Sequence, residues 1–514
     1  MEFPMPIVTL AQAETPLVLT LDVGSSSLRA GFFDRYARPV EDCQIRIKYQ
    51  FDTTPDGGVE KDPDELLQVV FTALDQALQL IGEKGRDIKA VALDTFWHTV
   101  MGVDKQFQPL TPLFSWADTR SSAHAAQLRR ELTEREVHAR TGCILHPSYY
   151  PAKLRWLADT QPTIYRRVAY WLSFGEYFYH KIFGTNRASI SIASGTGLFN
   201  QFDCKWDTVT LAALSITEDK LSPLTDLDNP HYGLLPEYAQ RWQTLKDIPW
   251  FPAIGDGAAG NIGSGCYTPN NIALMIGTSG AMRVVWSEKE IKRNIEVPWG
   301  LWRYRVDKQR PVLGGALSEG GNLFAWMNST LALPNPSDVE DELSKQPPDG
   351  HGLTVLPFLA GERSPGWAGH ARAVVTGLSL DTNAIEILRA GLESIAFRFG
   401  LLFSLLEPAL LSAISNKYIQ VVASGGALVK SPTWAQIIAD VLDRPVALSI
   451  EAESSSRGTA LLALEQLEGG KRIFEMVDFE CAVTYEPNSN RHRIYLESMK
   501  RQQELYQALI HLQD

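Results

Sequence analysis

Apolar residues first become continuous at Leu17-Val18-Leu19-Thr20-Leu21, and the run ends on Asp22-Val23-Gly24-Ser25-Ser26-Ser27. A second apolar run, Leu28 to Asp34, resumes at once. Two such runs joined by a short Gly/Ser turn predict a β-hairpin. The period then changes. Leu66, Leu67, Val70, Phe71, Leu74, Ala77, Leu78 and Ile81 recur at helical spacing. Asp62 stands where an N-cap belongs, Pro63 fits the first helical position, and Glu65 is expected to complete a capping box. The strand Ile88 to Leu93 follows and runs into Asp94-Thr95-Phe96-Trp97-His98. Strands and helices thus alternate in the manner of an α/β protein.

The middle of the chain repeats the opening. A strand from Trp250 enters a Gly/Ala-rich turn at Gly255-Asp256-Gly257-Ala258-Ala259-Gly260. The strand Asn271 to Ile276 then ends in Gly277-Thr278-Ser279-Gly280 before the apolar run Ala281 to Trp286. Two hairpins of the same chemistry predict a duplicated unit, divided into residues 1–265 and 266–514. The second half closes with a βαβα run: a strand Tyr418 to Ala423, the turn Ser424-Gly425-Gly426-Ala427, and a helix capped by Ser431. A strand Val446 to Ile450, a helix Gly458 to Leu467 and a final helix Met499 to Leu512 complete it.

The chain has 514 residues, 45% of them hydrophobic, enough for more than one core. Sixty acidic against 48 basic residues give a net charge of -12. That argues against nucleic acid and against an anionic membrane surface as partners. An anionic ligand stays open, because a Gly-rich turn, a helix N-terminus or a metal holds phosphate locally. No apolar run approaches the ~20 residues of a membrane span. The start, Met1-Glu2-Phe3-Pro4, lacks a basic signal region and reads as a loose tail. Five scattered cysteines with no CxxC favour a reducing, cytoplasmic setting over a disulfide scaffold or zinc site.

Four places carry candidate chemistry. The turn Gly24, Ser25, Ser26, Ser27 lets backbone N–H groups and hydroxyls approach an anion, and Asp22 at its edge suits Mg²⁺. A bare Ser-rich turn is the alternative, which the second copy at Gly277, Thr278, Ser279 and Gly280 disfavours. Asp256 stands among small residues at a strand mouth and suits acceptance of a hydroxyl proton in phosphoryl transfer. Its alternative is an Asx-turn before the next helix. Trp97, His98, Trp116, Asp118 and Arg120 suit a polyol pocket, against core packing and a surface ion pair. The loop Gly361-Glu362-Arg363-Ser364-Pro365-Gly366-Trp367 reads as structural, held by a Glu–Arg pair.

Taken in order, Asp22 to Ser27, Glu60 to Pro63, Trp116 to Arg120, Gly255 to Gly257, Gly277 to Gly280, Phe358 to Arg363 and Ser424 to Ala427 resemble the FGGY family of carbohydrate kinases. The resemblance implies two ribonuclease H-like domains of the actin-like ATPase kind, closing over ATP and a sugar. It implies Asp256 as catalytic base and Asp22 as the organiser of Mg²⁺ and the γ-phosphate. Thr278, Ser279 and Gly280 would meet phosphates, and Gly425, Gly426 and Ala427 would flank adenosine. Trp116 to Ser121, Thr141 to Cys143 with His146-Pro147, Ser191 to Phe199 and Asn261 to Gly263 resemble bacterial gluconokinases more than xylulokinases. D-gluconate is therefore the expected acceptor, with Arg120 expected on its carboxylate. A xylulokinase-type or other polyol kinase is the alternative. A non-catalytic sugar-binding regulator and an ATPase acting on protein partners are more distant ones. A homodimer is left open.

Overall fold

In the computed structural model, residues 7–291, 295–415, 418–449, 451, 453–470, 479 and 481–510 are described. Met1 to Pro4, Ile450 and Leu512, named above, lie outside them.

Two sheets carry the fold. The first pairs strand Leu17–Val23 antiparallel with Ser27–Phe33, which pairs antiparallel with Ile45–Lys48. On its other side Leu17–Val23 is parallel to Ile88–Thr95, which is parallel to the short strand Ile254–Gly255. The second sheet repeats this order. Asn271–Ile276 pairs antiparallel with Gly280–Val285, which pairs antiparallel with Pro311–Leu317. Asn271–Ile276 is parallel to Gln420–Ser424, itself parallel to Val446–Ser449. Each half is therefore a ribonuclease H-like sheet in the order third, second, first, fourth, fifth. The second half adds Trp302–Arg305 and Cys481–Tyr485 at its edges. The first strands of both sheets run into the two Gly/Ser/Thr turns, so duplication places two like turns at like positions.

Local signals act where their partners are close in sequence. Helix Pro63–Ile81 is capped by Asp62, whose carboxylate accepts from Asp64 N–H at 2.8 Å and Glu65 N–H at 3.0 Å. The reciprocal half of the expected box is missing, because Glu65 pairs with Lys61. Ser431 caps helix Pro432–Leu442 as expected. The expected loose tail is docked from Val8, which is buried and bridges to Val40. The last helix begins earlier than expected, spanning Ser489–Leu509.

The largest departures lie where the halves meet. The Gly/Ala segment after Asp256 is a helix, Asp256–Gly263, and its partner is the helix Ser454–Leu467. They cross at glycines. A Cβ on Gly263 would lie 1.8 Å from the Ser454 carbonyl oxygen, and one on Gly458 would lie 1.8 Å from that of Ala259. Small residues here serve backbone-to-backbone contact, which a local reading takes for a turn. Ala460 to Leu464 of the later helix are buried in the core of the first half. Among the described residues one helix, Ala384–Leu411, is long and apolar enough to cross a membrane. It is the core helix of the second half, and Arg389, Glu393 and Arg398 lie buried along it with partners.

Candidate active site

Three neighbouring parallel strands end in carboxylates. Asp22 and Asp94 are register partners, and Asp256 follows Gly255, the partner of Thr95. Asp22 is buried and accepts from Arg29 Nη1 at 3.1 Å and Ser456 Oγ at 3.4 Å. Asp94 is fully buried, takes Thr459 Oγ1 at 2.7 Å on one oxygen, and leaves the other without a partner. Burial and the adjacent Asp22 push the Asp94 carboxyl well above the usual carboxylate range. Burial also raises Asp22, against the opposing pull of Arg29. Like carboxylates this close resist ionising together, and Asp94, the more strongly raised of the two, is the one that favours its proton. Asp94 was not singled out in the sequence; its place in line with Asp22 is visible only once the strands pair.

Asp256 is the first residue of its helix, with Gly257 N–H donating to Oδ1 at 2.7 Å. Its carboxyl is pushed up to about 6, by burial first and Asp22 second, with Arg283 opposing. The alternative of an Asx-turn is replaced by a helix start that faces a cavity of about 410 Å³. Asp22, Gly24 to Ser27, and Gly277 to Gly280 line the same cavity. Each turn spends one N–H on closing itself and keeps the next two. Gly24 N–H bonds the Ser27 carbonyl at 3.1 Å and Gly277 N–H bonds that of Ser279 at 3.0 Å. The N–H groups of Ser25, Ser26, Thr278 and Ser279 have no partner among the described residues. The carbonyls of Gly277 and Thr278 turn away, accepting from Gly321 and Asn322. Two nests of free donors facing one cavity suit a chain of phosphates. The carboxylate donor set of Asp22 and Asp256, all oxygen, fits a hard divalent cation such as Mg²⁺.

The opposite wall is aromatic: Trp97, His98, Trp116, Tyr149, Trp302, Tyr304 and Trp367. Trp97 lies against glycines, since a Cβ on Gly255 would meet its ring at 2.0 Å and one on Gly195 at 2.7 Å. Its Nε1 donates to the Ser191 carbonyl at 2.9 Å. His98 Nδ1 bonds the Gly195 carbonyl, and a carbonyl only accepts. The ring therefore carries its proton on Nδ1 and leaves Nε2 as an acceptor. Burial keeps it neutral, with a pKa of about 3. Tyr149 and Tyr304 hydroxyls meet at 2.6 Å across the two halves. Tyr149, Trp302, Tyr304 and Trp367 were not proposed from sequence; all four stand in loops or an edge strand without a periodic signal.

Two sequence-based candidates are placed elsewhere. Asp118 and Arg120 do not line the cavity. Arg120 is committed to Asp118 and Glu60, and Asp118 also accepts from Val59 N–H at 3.2 Å. They form a clamp whose guanidinium lies 5.4 Å from the Phe114 ring and 4.8 Å from the Trp156 ring. The loop pair expected between Glu362 and Arg363 is likewise absent, because Glu362 pairs with Arg398 and Tyr506. Gly425, Gly426 and Ala427 do not line the cavity, but pack beside its second turn. Gly425 has φ 113°, and a Cβ there would lie 2.0 Å from the Ile276 carbonyl oxygen.

The comparisons with known proteins agree with this geometry. Residues 17–263 match the N-terminal domain of the FGGY family of carbohydrate kinases, and residues 272–466 match its C-terminal domain. The chain belongs to that family. It is 27% identical over 509 residues to a gluconokinase of Bacillus subtilis (strain 168), covering 97% of this chain and 96% of that one. It is also 27% identical over 458 residues to glycerol kinase 1 of Pseudomonas aeruginosa, covering 87% of this chain and 89% of that one. Among solved structures, a gluconate kinase from Lactobacillus acidophilus superposes with a TM-score of 0.87 at 24% identity, over 96% of this chain and 98% of that one. A xylulose kinase from the same organism gives 0.86 at 24% identity, over the same shares.

Proposed function

We propose that this carbohydrate kinase transfers the γ-phosphoryl of ATP to the terminal hydroxyl of D-gluconate, giving 6-phosphogluconate and ADP. The carrying observation is a half-buried carboxylate, Asp256, facing two turns with unspent N–H groups across one cavity. Asp256 accepts the hydroxyl proton as the oxygen forms its bond to phosphorus and the bond to ADP breaks. A pKa of about 6 suits that task near neutrality. Gly24, Ser25, Ser26 and Ser27 and Gly277, Thr278, Ser279 and Gly280 hold the phosphates. Gly425, Gly426 and Ala427 flank the adenosine. Asp22 organises Mg²⁺, which when bound neutralises phosphate charge. Trp97 and Trp116 present flat faces to the sugar's C–H groups, and His98 Nε2 accepts from a hydroxyl.

Gluconate is favoured over xylulose or glycerol by the gluconokinase relatives and by cationic groups in the cavity that a neutral sugar leaves unpaired. The division into halves is placed at 265/266. Free cysteines in the structure fit a reducing cytoplasmic setting. The test is ATP consumption over gluconate, xylulose, ribulose and glycerol. Gluconate is expected to give the highest kcat/KM, and a higher value for any of the others rejects it. Asp256→Asn is expected to lower turnover at least a thousandfold with ATP binding retained. Near-normal turnover would reject Asp256 as the base.

A further inference from the structure

Two arginines in the cavity make no ion pair with a described residue. Arg283 is 6% exposed, its Nη2 reaches only Met275 Sδ at 3.8 Å, and its Nε has no hydrogen-bond partner. Arg363 lines the same cavity, and its Nε also has none. Neither forms an ion pair with any described residue. Arg363 is half-buried, and Arg283 is unusual among the buried arginines, the rest of which are engaged: Arg303 and Arg305 hold Glu288, Arg389 holds Glu393, Arg398 holds Glu362, and Arg457 holds Glu451. An unpaired buried cation is costly, and its persistence in a cavity marks a place where an anion is meant to arrive.

The two cations have different surroundings. Arg283 stands on the strand that follows the Thr278 turn, against Gly257, next to Asp256. That is the side where phosphoryl and hydroxyl meet. Arg363 stands on the aromatic side. Its guanidinium lies 4.9 Å over the Trp116 ring, and Tyr149, Tyr304 and Trp367 line the cavity with it. The carboxylates that act on it, Glu319 and Asp256, do so from beyond ion-pair distance. Glu319 spends Oε1 on Ala360 N–H at 2.8 Å. Its chain neighbour Glu362 is consumed by Arg398 and Tyr506. Burial without an anion holds the Arg363 guanidinium below its ordinary pKa, and a bound carboxylate would relieve this.

We infer that Arg363, stacked on Trp116, is the specificity-determining residue that receives the acceptor's carboxylate, so that the enzyme selects sugar acids over the corresponding alditols. The inference rests on the kinase reading above and deepens it from gluconate to the class of aldonic acids. Stacking fixes the guanidinium plane, and two parallel N–H donors match the two carboxylate oxygens. Arg120, the sequence candidate for this role, is unsuited because its own carboxylates already occupy it.

The experiment compares acid and alditol on the full-length enzyme. Kinetics are measured with D-gluconate and D-glucitol, and with a panel of other aldonates and their alditols. Arg363→Met is expected to lower the gluconate-to-glucitol ratio of kcat/KM at least 30-fold, and Arg363→Lys is expected to restore part of it. An unchanged ratio overturns the inference. An equal loss for both acceptors with a raised KM for ATP would place Arg363 on the nucleotide and also overturn it. A binding measurement on the unmodified enzyme needs no variant to fold. There 6-deoxy-D-gluconate, which cannot be phosphorylated, is expected to bind at least tenfold tighter than 6-deoxy-D-glucitol, and equal affinity overturns the inference. If the enzyme prefers an aldonate other than gluconate, the gluconate reading fails and Arg363 stands. If it prefers neutral acceptors throughout, both fail.

Discussion

Asp256 gains its working range from two opposed neighbours. Burial and the charge of Asp22 push its carboxyl up to about 6, while the Arg283 guanidinium pulls it down. A base works only when ionised, so kcat/KM is expected to fall as pH drops through about 6. Arg283→Met removes the opposing pull and is expected to move this acid limb to higher pH. A limb that stays in place, measured as a full pH–rate profile on both proteins, would show that Arg283 does not act on Asp256. Arg120 makes a contrasting case. Its guanidinium bridges Asp118 and Glu60 with little exposure. Arg120→Ala leaves the buried Asp118 carboxylate without its cation and is expected to cost about 2 kcal/mol of stability, while the acid-to-alditol ratio holds. Denaturant unfolding reads the first effect and kinetics the second; lost selectivity with unchanged stability would return Arg120 to the sugar.

At the scale of elements, what the sequence makes legible depends on how far away the partner is. The hairpin turns and the Asp62 cap were readable because their hydrogen bonds close within a few residues. Helix Asp256–Gly263 was not, because its glycines answer to a helix that begins at Ser454. The Glu362–Arg363 pair was misread for the same reason: Glu362 finds its cation at Arg398, on a distant helix. Asp22, Asp256, the two Gly/Ser/Thr turns and the Trp97, His98 and Trp116 part of the aromatic wall were thus visible in sequence, whereas Asp94, the rest of that wall and the two unpaired arginines came only with the fold. The helix crossing gives a sharp test. A methyl on Gly458 meets a carbonyl oxygen of the facing helix at 1.8 Å, so backbone has to move. Gly458→Ala is expected to destabilise by about 3 kcal/mol, at the upper end of ordinary overpacking, and to lower kcat because the crossing helices carry Asp256 and Ser455. An unchanged denaturation midpoint would mean that the two helices do not cross in backbone contact at Gly458.

On the scale of the whole molecule, the two halves are not separable beads. Ala460 to Leu464, late in the chain, fill the core of the first half, and Trp302, Tyr304, Val306 and Val312 join the same core. Ser191 Oγ donates to the Arg305 carbonyl at 2.9 Å, and Arg303 N–H donates to that of Gly142 at 3.0 Å. The cavity is therefore tied at its floor by the crossing helices and at its aromatic wall by the edge strand Trp302–Arg305. A fragment ending at residue 265 would expose the apolar face that Ser454–Leu467 covers and would leave the Asp94 carboxyl without Thr459. Exposed apolar area of that kind costs about 25 cal/mol per Å², enough to remove the margin of a single domain. Residues 1–265 expressed alone are expected to lack a cooperative thermal transition and native near-ultraviolet circular dichroism. The full chain is expected to melt in one transition that shifts upward with ATP and gluconate together. A cooperatively folded 1–265 fragment would show instead that the late helix only decorates a core already complete, and the crossing would then be free to act as a hinge without cost to either half.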